Sequence, residues 1–77
     1  MSLATPYLNE AIASGATFRA AFGLIEERAE VLSVGNDRAG IPHVRFQLEV
    51  KRGSSTANIE RRTLALTCFR DRYREKL

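Results

Sequence analysis

Apolar and polar residues alternate with a period of two from Gly40 to Gly53, in GIPHVRFQLEVKRG. Val44, Phe46, Leu48 and Val50 face one way, and His43, Arg45, Gln47, Glu49 and Lys51 face the other. That pattern predicts an antiparallel strand with one buried face. Pro42 suits its first position, where no ladder donor is lost. Ahead of it, residues 35–40 (GNDRAG) form a turn cluster whose Gly and Asn tolerate positive φ, and VLSV at 31–34 reads as the end of a preceding strand. After it, residues 52–58 (RGSSTAN) read as a polar, mobile loop in a wide hairpin. Leu64, Leu66 and Cys68 then alternate with Thr63, Ala65 and Thr67, which predicts a third strand.

The flanking segments carry the other period. Thr5 and Pro6 resemble an N-cap followed by proline at the first helical position, with Leu8, Ala11 and Ile12 at helical spacing and Ser14-Gly15 as a stop. Phe18, Phe22, Ile25, Ala29 and Leu32 recur at steps of four, three, four and three, which predicts a second, amphipathic helix with Glu26, Glu27 and Glu30 on its solvated side. Gly23 in its interior, at about 1 kcal/mol relative to alanine, argues instead for two strands broken at that residue. At the C-terminal end, Thr67 could cap a short helix that places Phe69 and Tyr73 on one face.

These elements predict an α+β fold over a single small domain, residues 1–77: a three-stranded antiparallel β-meander with an N-terminal helical segment and a short C-terminal helix. The glycine-bounded, arginine-rich hairpins resemble those of SH3-like small β-barrels, which supplies the alternative fold. The pattern offers no closing fifth strand after Cys68.

Size and composition narrow the function classes. A chain of 77 residues buries a modest fraction of its surface, and domains of this size often gain stability from disulfides, metals or association. One cysteine, Cys68, and one histidine, His43, allow no internal disulfide and no His/Cys zinc site without carboxylates. No cofactor is expected, and association with a second copy or another protein moves up. The single thiol fits a cytoplasmic setting. No basic residue precedes the AIA at 11–13, so no signal peptide is expected, and no apolar run approaches the length of a spanning helix.

The net charge is +3, unevenly distributed: residues 1–37 hold two arginines against five carboxylates, and residues 38–77 hold ten basic residues against four acidic ones. A basic half can meet a polyanion or an acidic surface. The candidate binding surface comprises His43, Arg45, Gln47 and Lys51 on the polar face of the central strand, Arg52, Arg61 and Arg62 around the hairpin, and Arg70 and Arg74 at the C-terminal end.

Little in the sequence points to catalysis. GNDRAGIP matches only the first and sixth positions of a phosphate-binding P-loop, with Ile41-Pro42 where Lys and Ser/Thr belong. On the expected registers Cys68 faces the core as a small hydrophobe and His43 faces outward, so they form no nucleophile and base. The expectation is a non-enzymatic interaction module, self-associating as a homodimer or binding a protein partner, with no membrane or small-molecule ligand. The alternative is an accessory nucleic-acid-binding protein using the basic hairpin and C-terminal helix, although the outward strand positions carry no aromatic for base stacking.

Overall fold

A computed structural model describes residues 7–77. They form one five-stranded antiparallel sheet with a short helix near its C-terminal end. The strands are β1 (Thr17–Phe22), β2 (Ile25–Asn36), β3 (Pro42–Arg52), β4 (Ser55–Ala65) and β5 (Glu75–Lys76), and helix α1 covers Leu66–Arg72. Their order across the sheet is β4-β3-β2-β1-β5.

The expected three-stranded meander with an N-terminal helix is thereby overturned. Residues 17–32 pair as strands rather than coil as a helix. Phe18 stands opposite Ala29 and Phe22 opposite Ile25, across a two-residue turn of Gly23 and Leu24. Gly23 takes φ +61°, a conformation that suits glycine and opens the tight turn. Among the described residues the N-terminal segment holds only a 3₁₀ turn, Asn9–Ala11, and the Thr5-Pro6 cap lies outside them. A longer helix gains nothing there, because residues 15 and 16 instead exchange backbone hydrogen bonds with Val31 of β2.

The loop expected at residues 52–58 is also a tight turn. Gly53, again at φ +61°, and Ser54 reverse the chain, and Ser55–Ala65 pairs with β3 along its length, with one register shift beside Val50 and Lys51. Polar composition did not prevent a strand, since at a sheet edge neither face has to be buried. The third strand ends at Ala65, two residues before the expected cap Thr67, so Leu66 and Cys68 belong to α1 and Cys68 is exposed rather than in the core. A fifth strand does follow: Glu75 pairs with Arg19 and Lys76 with Phe18.

The core lies between one face of the sheet and the covering α1 and N-terminal segment. Phe18, Ala29, Val31, Val44, Phe46 and Leu48 point into it from the strands, Phe69 and Tyr73 from the helix and its end, and Ile12 from the N-terminal side. Val50, Leu64 and Leu66, expected in the core, are partly buried at its margin. Phe46 and Phe69 meet edge-to-face at 5.1 Å between centroids, and Phe18 meets Phe69 at 5.4 Å. Such pairs add about 1 kcal/mol each beyond the area they bury.

One polar side chain joins this core. Glu27 sits on the inward face of β2 with 9% exposure, taking a hydrogen bond from the Tyr73 hydroxyl at 3.0 Å and another from Arg72 Nη2 at 3.0 Å. It is therefore an anchor for α1, not part of a solvated acidic face. Tyr7 adds a second tie, its hydroxyl donating to the Tyr73 carbonyl at 2.5 Å.

Candidate binding surface

The outward face of the sheet can be read row by row from the strand registers, since residues directly opposite share a side. At one end stand Gly35, His43 and Ala65, followed by Ser33, Arg45 and Thr63. The next row runs Thr17, Glu30, Gln47 and Arg61. Beyond it come Glu75, Arg19, Arg28, Glu49 and Ile59, and then Ala21, Glu26 and Lys51.

The two halves of this face differ in how their charge is used. On the β1–β2 side, Glu26 accepts hydrogen bonds from Arg19 at 3.1 Å and Arg28 at 2.9 Å, and Arg19 also reaches Glu75 at 2.8 Å. The Arg28 hydrogen bond, with Arg19 adding, holds the Glu26 carboxyl below the usual carboxylate range despite an opposing contribution from burial. On the β3–β4 side, Arg45 and Arg61 form no ion pair among the described residues, while Lys51 lies 3.5 Å from Glu49.

A register shift between Val31 and Ser33 leaves Leu32 as an extra residue in β2, and a groove opens beside that bulge. It has a volume of about 400 Å³ and is lined by Ser33, Gly35, Asn36, His43, Arg45 and Thr63, among others. A second depression of about 220 Å³ adjoins it, sharing Arg45 and Thr63 and adding Leu32, Arg61 and Arg62. At the loop end, Asp37 Oδ1 accepts from the backbone N–H of Ala39 and Ile41 at 2.8 and 2.9 Å, which fixes the β2–β3 turn. His43 Nδ1 lies 2.9 Å from the Ile41 carbonyl oxygen and 3.7 Å from Asp37 Oδ2. A carbonyl neighbour requires a proton on Nδ1.

The sequence-selected residues thus divide among three places. His43, Arg45, Gln47 and Arg61 share the outward face, Lys51 stands further along it, and Arg52 is opposite Ser55 at the β3–β4 turn. Arg62 stands opposite Phe46, on the core side of the sheet at its open margin, and is paired with Glu60. Arg70 and Arg74 belong to α1 and its end: Arg70 donates to Asn9 Oδ1 at 3.1 Å and lies 5.9 Å from the Tyr7 ring centroid, and Arg74 donates to the Asp71 carbonyl at 3.3 Å.

Ser33, Asn36 and Thr63 were not selected from sequence. Their meeting depends on the bulge and the registers, and an isolated hydroxyl or amide carries no local sign of either. Among the described residues, no group of three or more His, Cys, Asp or Glu side chains could hold a metal ion, and no helix is long and apolar enough to cross a membrane. In comparison with known proteins, the chain matches no family model, no curated protein and no solved structure.

Proposed function

We propose that the protein is a non-enzymatic interaction module that forms a homodimer by pairing the free edge of β4 with the same edge of a second copy. The observation that carries this reading is the character of β4. It is 11 residues long, lies at the edge of the sheet among the described residues, and has no buried residue. An exposed edge of that length presents a row of unpaired backbone donors and acceptors, and natural edges are usually short or shielded. The opposite edge strand, β5, has only two residues. The outward sheet face is less suited to apolar stacking, because charged residues cross most of its rows.

Charge complementarity favours a second copy as the partner. Two antiparallel β4 strands related by a two-fold axis at Arg61 would set each Glu60 across from the other copy's Arg62, and Ile59 across from Thr63. Opposite-charge cross-strand pairs contribute up to about 1 kcal/mol each. The same register brings the two Arg61 side chains together on the outward face, a repulsion that salt screens. The exposed free thiol of Cys68 fits a reducing, cytoplasmic setting for this dimer.

Solution mass by light scattering tests the reading. Wild-type protein is expected to run as a dimer, while Glu60→Lys and Arg62→Glu each shift towards monomer. An equimolar mixture of the two variants should recover the dimer, because each then supplies the charges the other lacks. The cross-rescue cannot come from repairing the Glu60–Arg62 pair within one chain. A wild-type monomer across the accessible concentration range, or two variants that dimerise as well as wild type, would discard the β4 interface.

A further inference from the structure

We infer that the groove centred on Arg45 and Thr63 binds the phosphodiester backbone of single-stranded nucleic acid without reading its sequence. Two depressions meet there, and the residues they share are one arginine and one hydroxyl. Arg61 stands one row from Arg45 on the neighbouring strand, diagonal to it. Diagonal neighbours on antiparallel strands lie about 7–8 Å apart at the backbone, within reach of two long side chains converging on one anion. Guanidinium forks match phosphate oxygens bidentately, and Ser33, Thr63 and Asn36 add neutral donors beside them.

Their lack of a carboxylate partner among the described residues separates these arginines from Arg19, Arg28 and Arg62. Arg19 and Arg28 are bound to carboxylates and Arg62 to Glu60, so their guanidinium groups are already occupied. Arg45 and Arg61 have no carboxylate partner among the described residues and are exposed. The one carboxylate in the groove, Asp37, is turned towards the Ala39 and Ile41 amides and His43. A ligand carrying repeated negative charge would therefore meet two free guanidinium groups without displacing an internal partner.

The shape selects a strand over a small metabolite. Ser33, Gly35, Arg45 and Thr63 are all exposed, so the groove has a floor but no enclosing walls, whereas small-molecule sites surround most of their ligand. The outward positions of β2, β3 and β4 carry no Phe, Tyr or Trp. Bases thus find no stacking platform of that kind, and recognition falls to the backbone phosphates.

The test is fluorescence anisotropy with a labelled mixed-sequence single-stranded DNA oligonucleotide over a range of salt concentrations. Wild-type protein is expected to bind at low salt with log affinity falling linearly against log salt. Arg45→Gln should reduce that slope by about 0.7, and Arg45→Gln with Arg61→Gln by about 1.4, one phosphate contact being lost per arginine. The control, Arg70→Gln with Arg74→Gln, removes the same charge from α1 and should leave the slope near wild type. Equal flattening by both pairs would show a net-charge effect and overturn the site. So would an unchanged slope in the groove variants, or absence of binding by wild type at low salt. An unlabelled poly-glutamate of matched charge that competes as well as the unlabelled oligonucleotide would overturn the assignment to nucleic acid, because carboxylates would then suffice.

Discussion

The two edges of the sheet are built on opposite plans. At the β1–β5 side, charge is spent inside the fold: Arg19 joins Glu26 and Glu75, and Arg72 joins the buried Glu27 beneath α1. At the β3–β4 side, β4 buries none of its residues, and Arg45 and Arg61 remain without ion-pair partners among the described residues. Part of the charge opposition between the two halves of the sequence is thus neutralised within the molecule, since Glu27 and Arg72 come from different halves. Part of what is left over, Arg45 and Arg61, stands on β3 and β4. One edge holds the fold together, and the other is left available.

The sharpest way to break the first edge is to empty the core beneath it. Phe69 is fully buried and meets both Phe18 and Phe46 edge-to-face. Phe69→Ala should cost about 3–5 kcal/mol, a large part of the roughly 4–11 kcal/mol that a domain of this size commands. Urea titration followed by circular dichroism measures it. A loss below about 1 kcal/mol would mean that α1 is not a structural part of the core.

A subtler break is chemical. Burial first, and then the hydrogen bond and charge of Glu27, push the Tyr73 phenol up to about 12, against an opposing pull from Arg72. The unfolded chain releases this proton near 10, so the folded state holds it longer. Folding stability is therefore insensitive to this group below pH 10 and declines as pH rises towards 12, because ionisation is penalised in the folded state. The full decline is on the order of 2–3 kcal/mol. Tyr73→Phe should lower stability at neutral pH by about 1 kcal/mol and reduce the alkaline decline relative to wild type. Denaturation curves across that pH range compare the two proteins directly. An identical alkaline decline in both would remove Tyr73 as its source.

The same contrast explains what could be read in the sequence. Strand β3 was legible because its apolar face is wholly apolar, from Val44 to Val50. The β1–β2 hairpin was legible only as the alternative signalled by Gly23, because its inward face carries Glu27 where alternation calls for a hydrophobe, and the remaining apolar residues also satisfy helical spacing. The carboxylate that anchors α1 is what disguised the strand. Phe69 and Tyr73 were correctly placed on one face, but Leu66 and Cys68 continued the alternation of β4 into residues that turn out to be helical. Strand β5 left no trace, since two charged residues form a strand only through pairing with β1. In the candidate surface, the outward direction of His43, Arg45 and Gln47 followed from period two alone. The groove required the bulge beside Leu32, and the division between committed and uncommitted arginines required the registers.

The smallest expected effect is also the one that sharpens the comparison most. Arg45→Gln should change stability by no more than about 0.5 kcal/mol, as surface substitutions away from structural contacts usually do, and Arg61→Gln, which removes a repulsion at the proposed two-fold axis, should not lower it. Arg72→Gln makes the same chemical change at the other edge, but it takes a charged partner from Glu27 and should cost about 1 kcal/mol. Urea titration of all three variants under one set of conditions reads the difference. Stability losses of similar size would mean that the β3–β4 arginines are structural after all, bound into the fold like those beneath α1 and no longer free to meet a phosphate. A loss confined to Arg72→Gln would leave Arg45 and Arg61 as exposed cations without a folding role, and ligand binding is the remaining work for which their position fits them.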